Sequence, residues 1–172
     1  MKEKRFLKLI IHDLDDIHFA SLGINVNDFE VINANHPSSP CLGCYHCWLK
    51  TPGICNLNDP LKYMGSLLGQ SEETVIISQL CYGGYSEVVK RVLDRSISAS
   101  LPFTTYRSGK LRHRRRYHVD RKCLHVFLYG DYPETEKNTA TLLVEANRSN
   151  MGFQKANLHL VKQIDEIGGF LR

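Results

Sequence analysis

The chain has 172 residues, 42% of them apolar and 23% charged, an ordinary globular composition with enough length to bury one core. No apolar run approaches the roughly 20 residues that cross a bilayer, and the run Phe6 to Ile11 after Met1-Lys2-Glu3-Lys4-Arg5 is broken too early by Asp13, Asp15 and Asp16 for a secretory signal, so neither a membrane nor a secreted protein is expected and the setting is read as the cytoplasm. The net charge of +4 is uneven: residues 107–122 carry +7 and the remainder −3.

Phe6-Leu7-Lys8-Leu9-Ile10-Ile11 predicts a strand covered on both faces. Residues 13–22 predict a short helix capped by Asp13 and ended by Gly23. Phe29-Glu30-Val31-Ile32-Asn33 is a second strand, and residues 35–58, rich in Pro, Ser, Gly and Cys, form a structured loop. A helix fits 60–69, with Asp59 as cap and Pro60 in its first position. Thr74-Val75-Ile76-Ile77-Ser78 is a third strand, and Tyr82-Gly83-Gly84-Tyr85 a turn. Ser86 then opens a helix with Val88, Val89, Val92, Leu93 and Ile97 at helical spacing. Residues 100–120 are polar and basic without periodicity and predict a long loop. Cys123 to Tyr129 is a fourth strand ended by Gly130, 134–149 a helix using Leu142, Leu143 and Ala146, and Asn157 to Val161 a fifth strand. Residues 164–172 allow about two turns of helix at most.

Strands and helices that alternate in this way imply a parallel sheet with helices on both faces. Five strands fit one α/β domain over residues 1–172: a flavodoxin-like doubly wound sheet of order 2-1-3-4-5 with a short or missing last helix. In such sheets ligands sit beyond the carboxyl ends of the strands.

Four of the six cysteines stand as C-x2-C-x2-C-x7-C at Cys41, Cys44, Cys47 and Cys55. Thiolates at this spacing suit a [4Fe–4S] cluster. A four-cysteine zinc site, a reversible disulfide, and a loop packed on inert thiols with Gly43 and Gly53 in its turns are the alternatives. Cys81 and Cys123, in or beside strands, are expected to be buried and inert. The turn Tyr82-Gly83-Gly84-Tyr85-Ser86 follows the central strand. Its glycines would let a ligand approach the backbone, and its tyrosines offer flat surfaces to a planar ring.

Two groups of residues carry a resemblance. One is Cys41, Cys44, Cys47 and Trp48 with Thr51-Pro52-Gly53-Ile54-Cys55 and Asp59; the other is Val75 to Ser78, Tyr82 to Ser86 and Val92-Leu93-Asp94-Arg95. Over residues 5–165 the chain resembles the NAD(P)H-dependent FMN reductase branch of the flavodoxin-like superfamily. It is also similar to the iron–sulfur flavoproteins, which carry a compact cysteine array in this loop. The resemblance implies FMN at the carboxyl edge, lined by the backbone of Tyr82, Gly83, Gly84, Tyr85 and Ser86 and, on the other side, by Tyr129, Gly130 and Asp131. NAD(P)H would supply electrons for a small-molecule or protein acceptor, and a [4Fe–4S] cluster would sit on the four cysteines. No side chain is nominated as catalytic, because the flavin does the hydride chemistry.

The chain departs from that family after its first strand, where a Gly-Ser-rich loop at a helix start would hold the FMN phosphate. Here stands His12-Asp13-Leu14-Asp15-Asp16-Ile17-His18, whose three carboxylates repel an anion. That departure and the near-absent last helix suggest a second reading: a cofactor-free scaffold whose exposed apolar sheet face meets a second copy or a paralogous flavoprotein subunit. A [4Fe–4S] carrier is the third reading. The basic run Arg107 to His118 reads as a solvated arm or subunit contact, or as a site for the phosphate of a nicotinamide dinucleotide or a displaced FMN. No nucleic-acid motif accompanies it, and nucleic acid is not the expected partner.

Overall fold

The structure, a computed structural model, describes residues 7–107 and 109–170; the expectations for Met1–Phe6, Ser108 and the last two positions lie outside the described residues. Five parallel strands form one sheet in the order β2-β1-β3-β6-β7. They are β1 (Leu7–His12), β2 (Phe29–Asn33), β3 (Ser71–Gln79), β6 (Cys123–Tyr129) and β7 (Lys155–Val161). This is the flavodoxin-like order 2-1-3-4-5, counting only strands of this sheet. The remaining two, β4 (Ser100–Arg107) and β5 (Lys110–Arg115), pair antiparallel as a separate hairpin.

Strand alternation sorts the core into two layers. Leu9 and Ile11, Ile76, and Leu124, Val126 and Leu128 point to one face. There they meet Met64 and Leu68 of α3 (Met64–Gln70), Val89, Val92 and Leu93 of α4 (Glu87–Asp94), and Ala140 and Val144 of α5 (Glu134–Met151). Ile10, Val75, Ile77 and Phe127 point to the other face, under Leu22 beyond α1 (Asp16–Ser21) and Ile167 of a final 3-10 turn, Ile164–Gly169. The last helix is therefore short, as expected.

Among the described residues the expected bare apolar face is not found. The carboxyl half of the second face is covered by α1 and the last turn, and its amino half is polar: Lys8 pairs with Glu73 at 3.0 Å, beside Cys123 and His125. Strand residues that no helix covers are tolerated here because their outward positions carry polar groups.

Three further expectations are corrected. The first helix is capped by Asp15, whose carboxylate accepts from the His18 amide at 2.8 Å; Asp13 points elsewhere. The helix expected from residue 60 begins at Met64, because the Lys62 carbonyl accepts from the Cys55 amide at 2.9 Å and so serves the cysteine loop. Asp59 still caps the turn before the helix, accepting from the Leu61 amide at 3.0 Å. The expected basic loop 100–120 is the β4–β5 hairpin, and the cysteine loop contains a one-turn helix, α2 (His46–Leu49).

Candidate functional site

The strand order reverses between β1 and β3; in sheets of this kind the crevice at such a switch point, beyond the carboxyl ends, is where ligands sit, and here the segments after β3 and β6 leave the neighbouring strand ends. After β3, Cys81 and Gly84 exchange two backbone hydrogen bonds, 3.0 Å and 2.8 Å, around Tyr82 and Gly83. Both central residues have positive φ, +52° and +77°, the mirror-image turn that two-residue hairpins favour. Gly83 is required by more than its φ: a Cβ there would lie 2.6 Å from Thr139 Cβ and 2.9 Å from the Glu136 carbonyl. The turn is pressed onto the first turns of α5, and the Gly83 amide donates to Glu136 Oε2 at 3.0 Å.

This packing distributes the sequence-nominated residues unevenly. Tyr82 projects into solvent, 93% exposed. Tyr85 turns inward instead, where its hydroxyl accepts from Asn147 Nδ2 at 3.0 Å and burial pushes its pKa up to about 12. Ser86 is buried as the N-cap of α4, with its amide donating to Ser78 Oγ at 2.9 Å. Gly84 sits against Cys81 and Leu143. On the neighbouring strand end, the Tyr129 carbonyl accepts from Leu80 at 2.9 Å, and the Gly130 amide donates to Val161 at 3.0 Å. Gly130 has φ +121° with open space beside it, and Asp131 is exposed. The crevice rim thus brings Tyr82, Tyr129, Gly130 and Asp131 to adjacent strand ends, while Tyr85 and Ser86 face the core.

Asp13 is the residue that sequence reasoning misplaced. Its carboxylate leaves the helix and crosses the crevice, accepting from the Gln79 amide at 2.9 Å, Tyr129 Oη at 3.1 Å and Ser78 Oγ at 3.4 Å. Burial first, and then the Asp13 charge, raises the Tyr129 hydroxyl well above its ordinary range, so it stays a protonated donor. Burial and Asp13 likewise raise the Cys81 thiol. His12 brings no compensating charge: it is 2% exposed and stacked on Phe19 at 4.0 Å, and burial lowers its pKa. Asp15, held below the usual carboxylate range chiefly by the His18 amide, takes that amide for itself.

The chain thereby supplies its own anion at the switch point. The Gln79 and His18 amides are satisfied by carboxylates, and a phosphate at this loop would meet Asp13, Asp15 and Asp16. The phosphate of an FMN does not fit here, whereas at the rim Tyr82 and Asp131 are exposed and Gly130 has open space beside it.

Cys41, Cys44, Cys47 and Cys55 line one cavity together with Arg95. Cys41 and Cys44 are exposed, and Cys47 is buried at the start of α2, where burial and then its neighbouring thiols push its pKa up. Among the described residues no group of three or more His, Cys, Asp or Glu side chains is set to hold a metal ion. The expected iron–sulfur cluster gains no support from this arrangement. Cys81 and Cys123 are half-buried, with thiol pKa values raised by burial.

No protein-family model matches the chain, and no curated protein matches it. Solved structures do. An FMN-dependent NADH-azoreductase from Bacillus anthracis str. Ames Ancestor, in complex with FMN, is similar over 95% of this chain and 93% of its own, at 12% identity and a TM-score of 0.60. An NAD(P)H:quinone oxidoreductase from Methanothermobacter marburgensis is similar over 95% and 93%, at 13% identity and a TM-score of 0.57. The chain also spans 34% of a Flv1 flavodiiron core from Synechocystis sp. PCC6803, at 12% identity and a TM-score of 0.51. The chain has the flavodoxin-like fold that these structures share. Among the described residues, no helix is long and apolar enough to cross a membrane.

Proposed function

We propose that this chain is a flavin-dependent NAD(P)H oxidoreductase acting on a small acceptor, and that it takes the flavin by its ring system with no phosphate anchor in the first loop. The observation that carries this reading is the solvent-facing Tyr82 at the end of the central strand, beside the open Gly130–Asp131 step of its neighbour. The fold shared with an FMN-dependent azoreductase over nearly the whole chain supports it. A bound flavin supplies the hydride chemistry. The chain's own part is to orient and exclude: Tyr82 offers a ring face, Tyr129 Oη holds a proton at the crevice, and Asp13 keeps a second anion out. The electron acceptor, self-association and a cytoplasmic setting belong to the same proposal.

Titration of the purified protein with FMN and with riboflavin, read by visible absorbance and flavin fluorescence, tests it. Riboflavin should bind at least as tightly as FMN, and NAD(P)H should be consumed when either is present. A colourless protein that takes up neither at micromolar concentration sinks the proposal.

A second reading has its own support. Asp13 fills the switch point, and the Gly83 amide is spent on Glu136, as expected of a scaffold that works without a flavin beside a second copy or a flavoprotein subunit. It requires a stable complex together with no flavin uptake by the isolated chain. A monomer at every concentration in light scattering, with no co-purifying protein, counts against it.

A further inference from the structure

The β4–β5 hairpin stands at the opposite edge of the sheet from the crevice. α5 runs from Glu136, which holds the turn after β3, to Ser149, whose carbonyl accepts from Arg107 Nη2 at 2.8 Å. These two anchors lie ~20 Å apart along the helix at its usual rise, so an anion on the hairpin is not the phosphate of a flavin lying in the crevice.

Where the hairpin meets the body, Thr105, Arg107, Arg114, Arg115, Arg116 and His118 line one groove of about 440 Å3. No carboxylate lines it, and among the described residues none of its four arginines lies within ion-pair distance of one. Their partners are neutral: Arg107 donates to the Ser149 carbonyl, and Arg116 Nε to the Ser98 carbonyl at 2.9 Å. Among the described residues, Arg115 Nε and Arg116 Nη2 are buried without a hydrogen-bond partner. The Arg115 side chain lies across Gly152, where a Cβ would sit 2.3 Å from Arg115 Nε. The Arg107, Arg115 and Arg116 side chains are thus held against the body of the protein, while Arg114 stands exposed.

Clustered, partly desolvated like charges with no carboxylate among them are costly unless an anion meets them. Planar forks of this kind match phosphate oxygens in two-point contacts. Four cations in one open groove exceed the charge of a single phosphate. We propose that this groove binds a ligand carrying two or more closely spaced phosphates. That chemistry has two sources, a free polyphosphate and the backbone of a single-stranded nucleic acid. Phe103 and Tyr106, 65% and 79% exposed on β4, offer stacking surfaces that only the second would use.

The protein, without added flavin, is titrated with inorganic tripolyphosphate by calorimetry and with a labelled short single-stranded oligonucleotide by fluorescence anisotropy, each at low and moderate salt. Binding should weaken with salt, and Arg114→Gln should weaken it about tenfold and lower the salt slope by about 1. Arg114 is exposed and makes no hydrogen bond among the described residues, so this variant keeps the fold; circular dichroism checks it. Lys137→Gln, which removes a positive charge at the other end of α5, should change nothing. Equal binding of both probes assigns a free polyphosphate. Tighter oligonucleotide binding that Phe103→Ala or Tyr106→Ala selectively weakens assigns a nucleic-acid strand. No binding of either probe at low salt, or equal losses in Arg114→Gln and Lys137→Gln, overturns the proposal.

Discussion

Asp59 grips Arg95 at two points, Oδ2 to Nη1 at 2.7 Å and Oδ1 to Nη2 at 2.8 Å, with the arginine side chain fully buried. The same guanidinium donates to the Ser39 carbonyl at 2.7 Å, and the Ser39 amide donates to Asp59 Oδ2 at 3.1 Å. One ion pair therefore ties both ends of the cysteine loop to the end of α4.

Removing the carboxylate leaves that buried cation without its anion. Asp59→Ala should lower stability by about 3–5 kcal/mol in urea unfolding at neutral pH, and Arg95→Met, which deletes the cation, by less. The Arg95 hydrogen bonds hold the Asp59 carboxyl below its ordinary pKa of 3.8. A depressed carboxyl contributes stability above the unfolded value and loses it as pH falls through the folded one. Wild type should therefore converge on Asp59→Asn below about pH 4.

Asp13 sets the state of the crevice. In Asp13→Asn the Tyr129 hydroxyl should titrate at lower pH than in wild type, in an ultraviolet titration of tyrosinate, while staying above its ordinary range because burial is the larger cause. The same variant removes one negative charge facing a phosphate, so FMN affinity should rise relative to riboflavin. An unchanged ratio would mean that Asp13 does not face the flavin's phosphate arm.

The two glycines of the tyrosine turn should behave differently. Gly83→Ala combines a positive φ with a Cβ placed 2.6 Å from Thr139, and should cost about 1–3 kcal/mol in thermal or urea unfolding. In Gly84→Ala the new Cβ meets nothing closer than 3.5 Å at a φ open to any residue, and the loss should be well under 1 kcal/mol on the usual scale for such changes.

Lys122 is 4% exposed, with Nζ 2.8 Å from the Leu68 carbonyl and 4.7 Å from the Phe153 ring centroid. Burial lowers its pKa from 10.5 to about 8. Between those values the unfolded chain keeps a proton that the folded chain has lost, so this group's contribution to stability rises with pH across that window, by at most ~1.4 kcal/mol per pH unit. Relative to Lys122→Met, wild type should gain stability between pH 8 and 10 in parallel denaturation series. A constant difference across the window would show that the lysine is not desolvated as described.

The strands β1, β2, β3, β6 and β7 and their order were legible in the sequence, because a strand buried on both faces has to be written as a short apolar run, and alternation with helices leaves few ways to stack such runs. Gly23, Gly83, Ser86 and Gly130 were legible for the same local reason: each answers to the backbone of its own turn. The hairpin escaped notice because Thr104, Thr105, Lys110 and Arg112 face no core; backbone pairing, Arg107 on the Ser149 carbonyl and Arg112 on the Asn150 side chain hold it, and none of these leaves an apolar period. Asp13 escaped for a different reason. A carboxylate after a strand and before a helix looks the same whether it caps that helix or crosses the crevice, and its partners lie 66 residues away at Gln79 and 116 away at Tyr129. The sequence alone determined the sheet and the order of its strands. Only the tertiary structure decided which charges meet there, since electrostatic partners are set by distance in space and not by spacing along the chain.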